Sequence, residues 1–158
     1  MNMNLNIHLR PVKINDAHLL QLTCWPERAF NDIQSHLSRL IKRHELGRAW
    51  GVVSQIGEQI VGYGQLTQWG RRTEISDLIV SEGWRGHGVG TALIETLLNI
   101  AREHGIQEVE IGAVLSNARA LDLYRRLGFQ DAYQTILDMG RGVEPVLYLT
   151  MKLKDVET

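Results

Sequence analysis

The stretch R-G-H-G-V-G, residues 85–90, sets three glycines at alternate positions and runs directly into T-A-L-I-E-T-L-L-N-I-A-R-E-H. Val89, Leu93, Leu97 and Ala101 recur at four-residue intervals, which predicts an amphipathic helix over about 89–104 stopped by Gly105. Upstream, T-E-I-S-D-L-I-V (73–80) reads as a strand, and downstream I-Q-E-V-E-I-G-A-V-L (106–115) alternates as another. A strand, a helix and a strand joined in this way require two parallel strands with a right-handed crossover. The glycines therefore sit at the mouth of the crossover helix, where backbone N–H groups lack intrahelical partners and the positive end of the helix dipole emerges.

The rest of the chain supplies more of both periods. Residues 7–12 predict a short strand closed by Pro11, and 14–22 a helix capped by Asn15 or Asp16 and ended by Pro26. Phe30, Ile33, Leu37, Leu40 and Ile41 predict a second helix over about 30–44. Three β-rich runs then follow at 49–56, 59–69 and 73–80, with turn signals between them, as in an antiparallel meander. S-N-A-R-A-L-D-L-Y-R-R-L-G-F (116–129) reads as a capped helix ended by Gly128, with strands expected at 130–137 and 143–153. The expectation is a mixed α/β fold and a single domain over 1–158. It combines a central, mostly antiparallel sheet of about seven strands, one parallel βαβ unit and about four helices.

Of the 158 residues 44% are hydrophobic and 22% charged, an ordinary globular balance. No apolar run approaches the ~18 residues of a membrane helix, and the opening M-N-M-N-L-N-I-H-L-R lacks the basic start and apolar block of a signal peptide. A cytoplasmic protein without a membrane partner is expected. The single cysteine, Cys24, excludes an internal disulfide and a Cys-rich zinc site. His8, His18, His36, His44 and His104 show no metal-ligand spacing, so no metal is expected. The 17 basic and 18 acidic residues are spread along the chain and sum to −1, without the basic footprint of a nucleic-acid binder. Oligomeric state is not legible, and a homodimer is compatible with the sequence.

Gly86, Gly88 and Gly90 let an anion approach the helix mouth without a Cβ in the way, and Arg85 adds a positive charge, so a pyrophosphate is the ligand this segment favours. A plain loop needing positive φ is the competing reading of the same glycines. A P-loop would require Lys after the last glycine, and none follows Gly90. A dinucleotide fingerprint would require G-x-G-x-x-G near the start of the fold, whereas the spacing here is G-x-G-x-G, midway along the chain. A nucleotide-dependent oxidoreductase is disfavoured.

Arg85-x-x-Gly88-x-Gly90 after a strand resembles the [QR]-x-x-G-x-[GA] motif of the GNAT acetyltransferase superfamily, and residues 116–129 resemble that family's S-N-x-x-A-x-x-L-Y-x-x-x-G-F segment. The order of elements agrees over nearly the whole chain. The resemblance implies acetyl-CoA as co-substrate, with its pyrophosphate surrounded by Arg85, Gly86, His87, Gly88, Val89, Gly90 and Thr91. Leu78, Ile79 and Val80 would run beside the pantetheine arm, with the Leu78 N–H facing the thioester carbonyl. Asn117 would contact the arm. Tyr124 would donate a proton or hydrogen bond to the departing thiolate; the two lie seven residues apart, on one helical face. Asn117 as a helix cap and Tyr124 as a core aromatic are the plainer alternatives.

Glu74, eleven residues before Arg85, matches the catalytic glutamate of some histone-type members and is the candidate base. Ordered water, or Glu74 as a solvated strand residue or substrate anchor, stands beside that reading. Strand parity puts Glu74 on the face of Leu78 and Asp77 on the opposite one. Members that acetylate protein N-termini carry a glutamate on the fifth strand, where Gly112 stands here. Trp25, Glu27, Phe30 and Asp32 fall in the region that lines the acceptor pocket in the family, although Trp25 and Phe30 also read as core. Together these implications describe an N-acetyltransferase that moves acetyl to a primary amine by direct attack in a ternary complex. The acceptor is expected to be a small molecule, sitting under the early helices and the loop 139–145. A protein or peptide acetyltransferase and a non-catalytic acyl-CoA-binding regulatory module are the competing readings.

Overall fold

A computed structural model describes residues 6–138, 140 and 142–154, so Met139 and Arg141 of the loop expected over the acceptor lie outside the described residues. In chain order the elements are β1 (His8–Pro11), α1 (Ala17–Thr23), α2 (Phe30–Glu45), β2 (Ala49–Ile56), β3 (Gln59–Trp69) and β4 (Arg72–Val80). They continue with α3 (Val89–Glu103), β5 (Glu108–Val114), α4 (Ala118–Leu127), β6 (Gln130–Asp138) and β7 (Val143–Lys152). The strands form one sheet in the order β1-β2-β3-β4-β5-β7-β6. Every neighbouring pair is antiparallel except β4 with β5, which the α3 crossover makes parallel. No described helix is long and apolar enough to cross a membrane.

Alternation along the strands divides the apolar residues between two cores. Trp50, Val52, Val61, Leu66, Ile75 and Ile111 pack with Leu93, Leu97 and Ala101 of α3 and with Leu121 and Tyr124 of α4. Their neighbours Ala49, Val53, Ile60 and Tyr63 pack with Leu20, Ile33, Leu37 and Leu40 of α1 and α2 on the other face. The predicted α3 stripe is buried throughout. Phe30 is 38% exposed, with its ring edge-on to His18 at the start of α2, so of its two readings the core one does not hold.

Most element ends fall within a residue or two of the sequence expectation. The first helix is the exception. A 3-10 turn over Ile14–Asp16 precedes α1, and Asp16 does not cap α1 with its side chain. Its carboxylate accepts from the Lys13 N–H (2.7 Å) and from Arg10 (2.8 and 2.9 Å), which ties the turn back to β1.

Gly112 on β5 has a packing reason. It faces Tyr148 across the ladder, and a Cβ there would lie 2.7 Å from the Tyr148 ring, which in turn stacks on Tyr133 at 5.0 Å. A glutamate at this position would not fit beside the Tyr148 ring as it stands. Gly112→Ala is expected to destabilise the protein by about 1–3 kcal/mol, because neither the ring nor the paired backbone can yield cheaply. Urea unfolding measures it.

Candidate functional site

β4 is not a regular strand where the site begins. Tyr63 pairs with Ile79 but Gln65 pairs with Ser76, so Gly64 alone faces both Asp77 and Leu78. Asp77 absorbs the extra residue with φ +52, a left-handed conformation that aspartate tolerates better than most side chains. The bulge overturns the parity expectation: Leu78 packs toward α3 beside Leu93 and Leu97, whereas Asp77 reaches His36 of α2 (3.9 Å) on the other face. Glu74, one residue before the core side chain Ile75, lies on that second face too, so it shares a face with Asp77 and not with Leu78. Sequence parity fails here because it assumes an uninterrupted ladder.

Beyond the bulge β4 and β5 separate. Their pairing consists of Glu74 with Glu110 and Ile75 with Ile111, although both strands run on. A groove of about 710 Å³ opens there, lined by Leu78, Ile79, Val80, Arg85, Gly86, Gly88, Val89, Gly90, Thr91, Asn117 and Tyr124. His87 is not part of the lining; its ring stands edge-on to Trp84. The first bond closing α3 runs from the Ala92 N–H to Gly88 C=O (3.0 Å), which leaves the N–H groups of Val89, Gly90 and Thr91 without a backbone partner among the described residues. Gly86 (φ +80) and Gly88 (φ +83) supply the left-handed turns that fold the loop over that mouth. The loop reading of Gly86 and Gly88 is thus met, and the same geometry is compatible with the anion reading. Trp84, Arg119 and Arg126 also line the groove and were not singled out from the sequence. The two arginines sit seven apart on α4, and no sequence interval ties them to Asn117 and Tyr124, which lie on a different face of the helix.

Asn117 caps α4: its Oδ1 accepts from the Ala120 N–H (3.2 Å), while its amide nitrogen makes no hydrogen bond among the described residues. Tyr124 is 6% exposed and edge-on to Phe129, yet its hydroxyl is not sealed from the groove. Burial pushes the Tyr124 hydroxyl above the usual tyrosine range, so it stays a protonated donor at neutral pH. Tyr124 is thus both packed in the core and part of the groove lining.

The opposite face carries carboxylates and aromatics. Glu74 is half-buried, and burial first, then the charge of Glu110, raises its proton affinity; Arg72 partly offsets this. Trp25 is buried against Tyr63 (ring centroids 5.2 Å) and near His36 (5.9 Å). Gln65 Oε1 accepts from both the Tyr63 hydroxyl and His36 Nε2, each at 2.7 Å, which fixes the histidine hydrogen on Nε2. Among the described residues no group of three or more His, Cys, Asp or Glu could hold a metal ion.

The sequence pattern described as the acetyltransferase (GNAT) family matches residues 14–129, most of the chain and all of the groove. The chain belongs to the GNAT acetyltransferase family. Thialysine N-epsilon-acetyltransferase of Bos taurus is similar over 80 residues at 34% identity, covering 48% of this chain and 47% of that protein. The chain thus spans about half the length of this relative. An N-acetyltransferase structure from Staphylococcus aureus Mu50 superposes with a TM-score of 0.79 at 15% identity, covering 94% of this chain and 99% of that one. The yncA structure from Salmonella typhimurium, solved with its cofactor acetyl-CoA, gives a TM-score of 0.76 at 21% identity over 96% of each chain. These two likenesses establish the GNAT fold.

The residues present suit the GNAT co-substrate. The N–H groups at the α3 mouth and Arg85 would suit a diphosphate, Arg119 and Arg126 add charge along the lining, and the divergence of β4 from β5 leaves room for an extended arm. Gly88 and Gly90 are separable by substitution. A Cβ at Gly90 would meet ordinary contacts at 3.7 and 3.8 Å, whereas one at Gly88 would be held at φ +83. Gly88→Ala is expected to cost about 1–2 kcal/mol of stability and to weaken coenzyme A binding. Gly90→Ala is expected to keep both within twofold. Thermal unfolding and calorimetric titration with coenzyme A read the contrast.

Proposed function

We propose that the chain is an acetyl-CoA-dependent N-acetyltransferase acting on a primary amine, in a ternary complex and without a covalent acetyl-enzyme. The observation that supports this reading is the groove itself, whose lining joins the mouth of α3, the end of β4 and Tyr124. When bound, acetyl-CoA supplies a thioester activated for acyl transfer. The Leu78 N–H, on the strand that borders the groove, is the donor assigned to the thioester oxygen, where negative charge grows during attack. Tyr124 donates a hydrogen bond to the departing sulfur. Ordinary tyrosine and thiol pKa values already make full proton transfer uphill by about 2 kcal/mol, and the raised Tyr124 affinity steepens it, so hydrogen bonding is the role assigned. Cys24 is buried, its thiol pushed up by burial, and takes no part.

Attack needs a neutral amine. Freeing an amine of pKa ~10.4 at pH 7 costs about 4.6 kcal/mol, and a neighbouring carboxylate lowers that demand in the complex. Glu74 fills this place: it stands at the root of the strand separation, on the face away from α3 and α4, from which the amine approaches. With its proton affinity raised, Glu74 works as a base above its own pKa and fails below it, so kcat/KM falls on the acid side. A small molecule is the favoured acceptor, supported by the thialysine acetyltransferase relative and by carboxylates suited to an ammonium group.

Thiol release from acetyl-CoA across polyamines, aminoglycosides, amino acids and peptides tests the class. Turnover confined to peptides would replace the small-molecule acceptor with a protein one. Tyr124→Phe keeps the ring on Phe129 and removes the donor; kcat is expected to drop roughly 100-fold with coenzyme A affinity unchanged. Equal kcat in the variant removes the role of Tyr124.

A further inference from the structure

Glu110 takes no part in the transfer described above, yet it is a carboxylate only 7% exposed, a placement rare for this residue type unless it is paired. Its partners are specific. Arg72 donates from Nε to Oε1 (3.0 Å) and its Nη2 forms an ion pair with the same oxygen (2.7 Å), while the Tyr133 hydroxyl donates to Oε2 (2.7 Å). Arg72 also donates to the Tyr133 hydroxyl and lies near its ring, and Tyr133 stacks on Tyr148, which Gly112 admits. Residues from four strands thus hold one carboxylate in place. Parallel register sets Glu110 beside Glu74, and paired residues of neighbouring strands share a face. Glu74 takes part in none of the ion pairs among the described residues.

We propose that Glu110 is a positioning residue for amine acetylation: clamped by Arg72 and Tyr133, its carboxylate governs how Glu74 exchanges a proton with the incoming ammonium and leaves Glu74 to the substrate. The inference rests on the reading of Glu74 as the acceptor-side base. The groups facing Glu74 are Glu110 from β5 and Asp77 and Arg72 from β4, with the phenols of Tyr148 from β7 and Tyr133 from β6 nearby. His36 of α2 stands beyond Asp77. Two like charges repel the Glu74 carboxylate, and one opposite charge, already bonded to Glu110, attracts it. Each side of that balance can be removed separately. Loss of the Glu110 charge lets Glu74 release its proton at lower pH, whereas loss of the Arg72 charge leaves Glu110 uncompensated and holds the Glu74 proton to higher pH.

The experiment follows Glu74 by carboxyl-carbon NMR in the full chain, for wild type, Glu110→Gln and Arg72→Met. The Glu74 midpoint is expected to fall by roughly 0.5–1 pH unit in the first variant and to rise by a similar amount in the second. The acid limb of kcat/KM is expected to move in the same senses. A role confined to holding the sheet would lower the melting temperature of both variants and leave the Glu74 midpoint alone. Tyr133→Phe, which removes one donor from Glu110 and keeps the stack on Tyr148, supplies a smaller upward shift if Arg72→Met does not fold. Coincident Glu74 titrations in all the folded variants overturn the proposal, whatever their activity. A wild-type chain that binds coenzyme A yet acetylates no amine overturns the functional reading and with it this role in transfer, an outcome told apart from the first because the titrations would still diverge.

Discussion

Parallel strands cannot be joined by a tight turn, and the crossover through α3 here secures only two residue pairs, Glu74 with Glu110 and Ile75 with Ile111. The rest of the site depends on how short that pairing is. Ile75 and Ile111 lie under α3 and α4 in the larger core, so the pairing is fixed where burial is deepest. Beyond it, β4 stays with β3 and β5 stays with β7, and the strands part. The mouth of α3 opens beside this gap because the crossover must start at the end of β4. A longer parallel ladder would close the groove, and no crossover would leave the helix mouth elsewhere.

The near-neutral total of −1 conceals a separation of charge by sheet face. Arg85, Arg119 and Arg126 line the groove beside α3 and α4, whereas Glu74, Asp77 and Glu110 face the other way. On the proposed reading, a diphosphate and an ammonium group would meet opposite fields on opposite sides of one sheet, to either side of the point where β4 and β5 diverge. The Asp77 bulge helps to produce this layout, since it sends the aspartate to the acidic face and Leu78 to the apolar one. A regular strand would have reversed both.

The elements were legible because their periods are clean. Val89, Leu93, Leu97 and Ala101 give α3, and the alternation of Trp50 and Val52 with Ala49 and Val53 gives a strand buried on two faces. The groove was legible for a different reason: its residues cluster in two short segments whose chemistry is local to a helix mouth and one helix face. Asp77 marks where legibility ends. Nothing in T-E-I-S-D-L-I-V announces a left-handed residue, because the bulge arises from the pairing of β4 with β3 and not from β4 alone. The clamp on Glu110 is hidden for the same reason. Arg72, Glu110, Tyr133 and Tyr148 are distant in sequence and meet only once β4, β5, β7 and β6 are ordered side by side.

The contact between Gly112 and the Tyr148 ring also has a historical consequence. Any lineage placing a carboxylate at position 112 must first shrink the residue at 148, since the reverse order passes through a misfit intermediate. The two sites are therefore bound by epistasis, and the stack on Tyr133 extends the linkage to a third. Divergence in acceptor preference along this part of the sheet is accordingly expected to proceed by linked replacements across β5, β7 and β6, in a fixed sequence of steps.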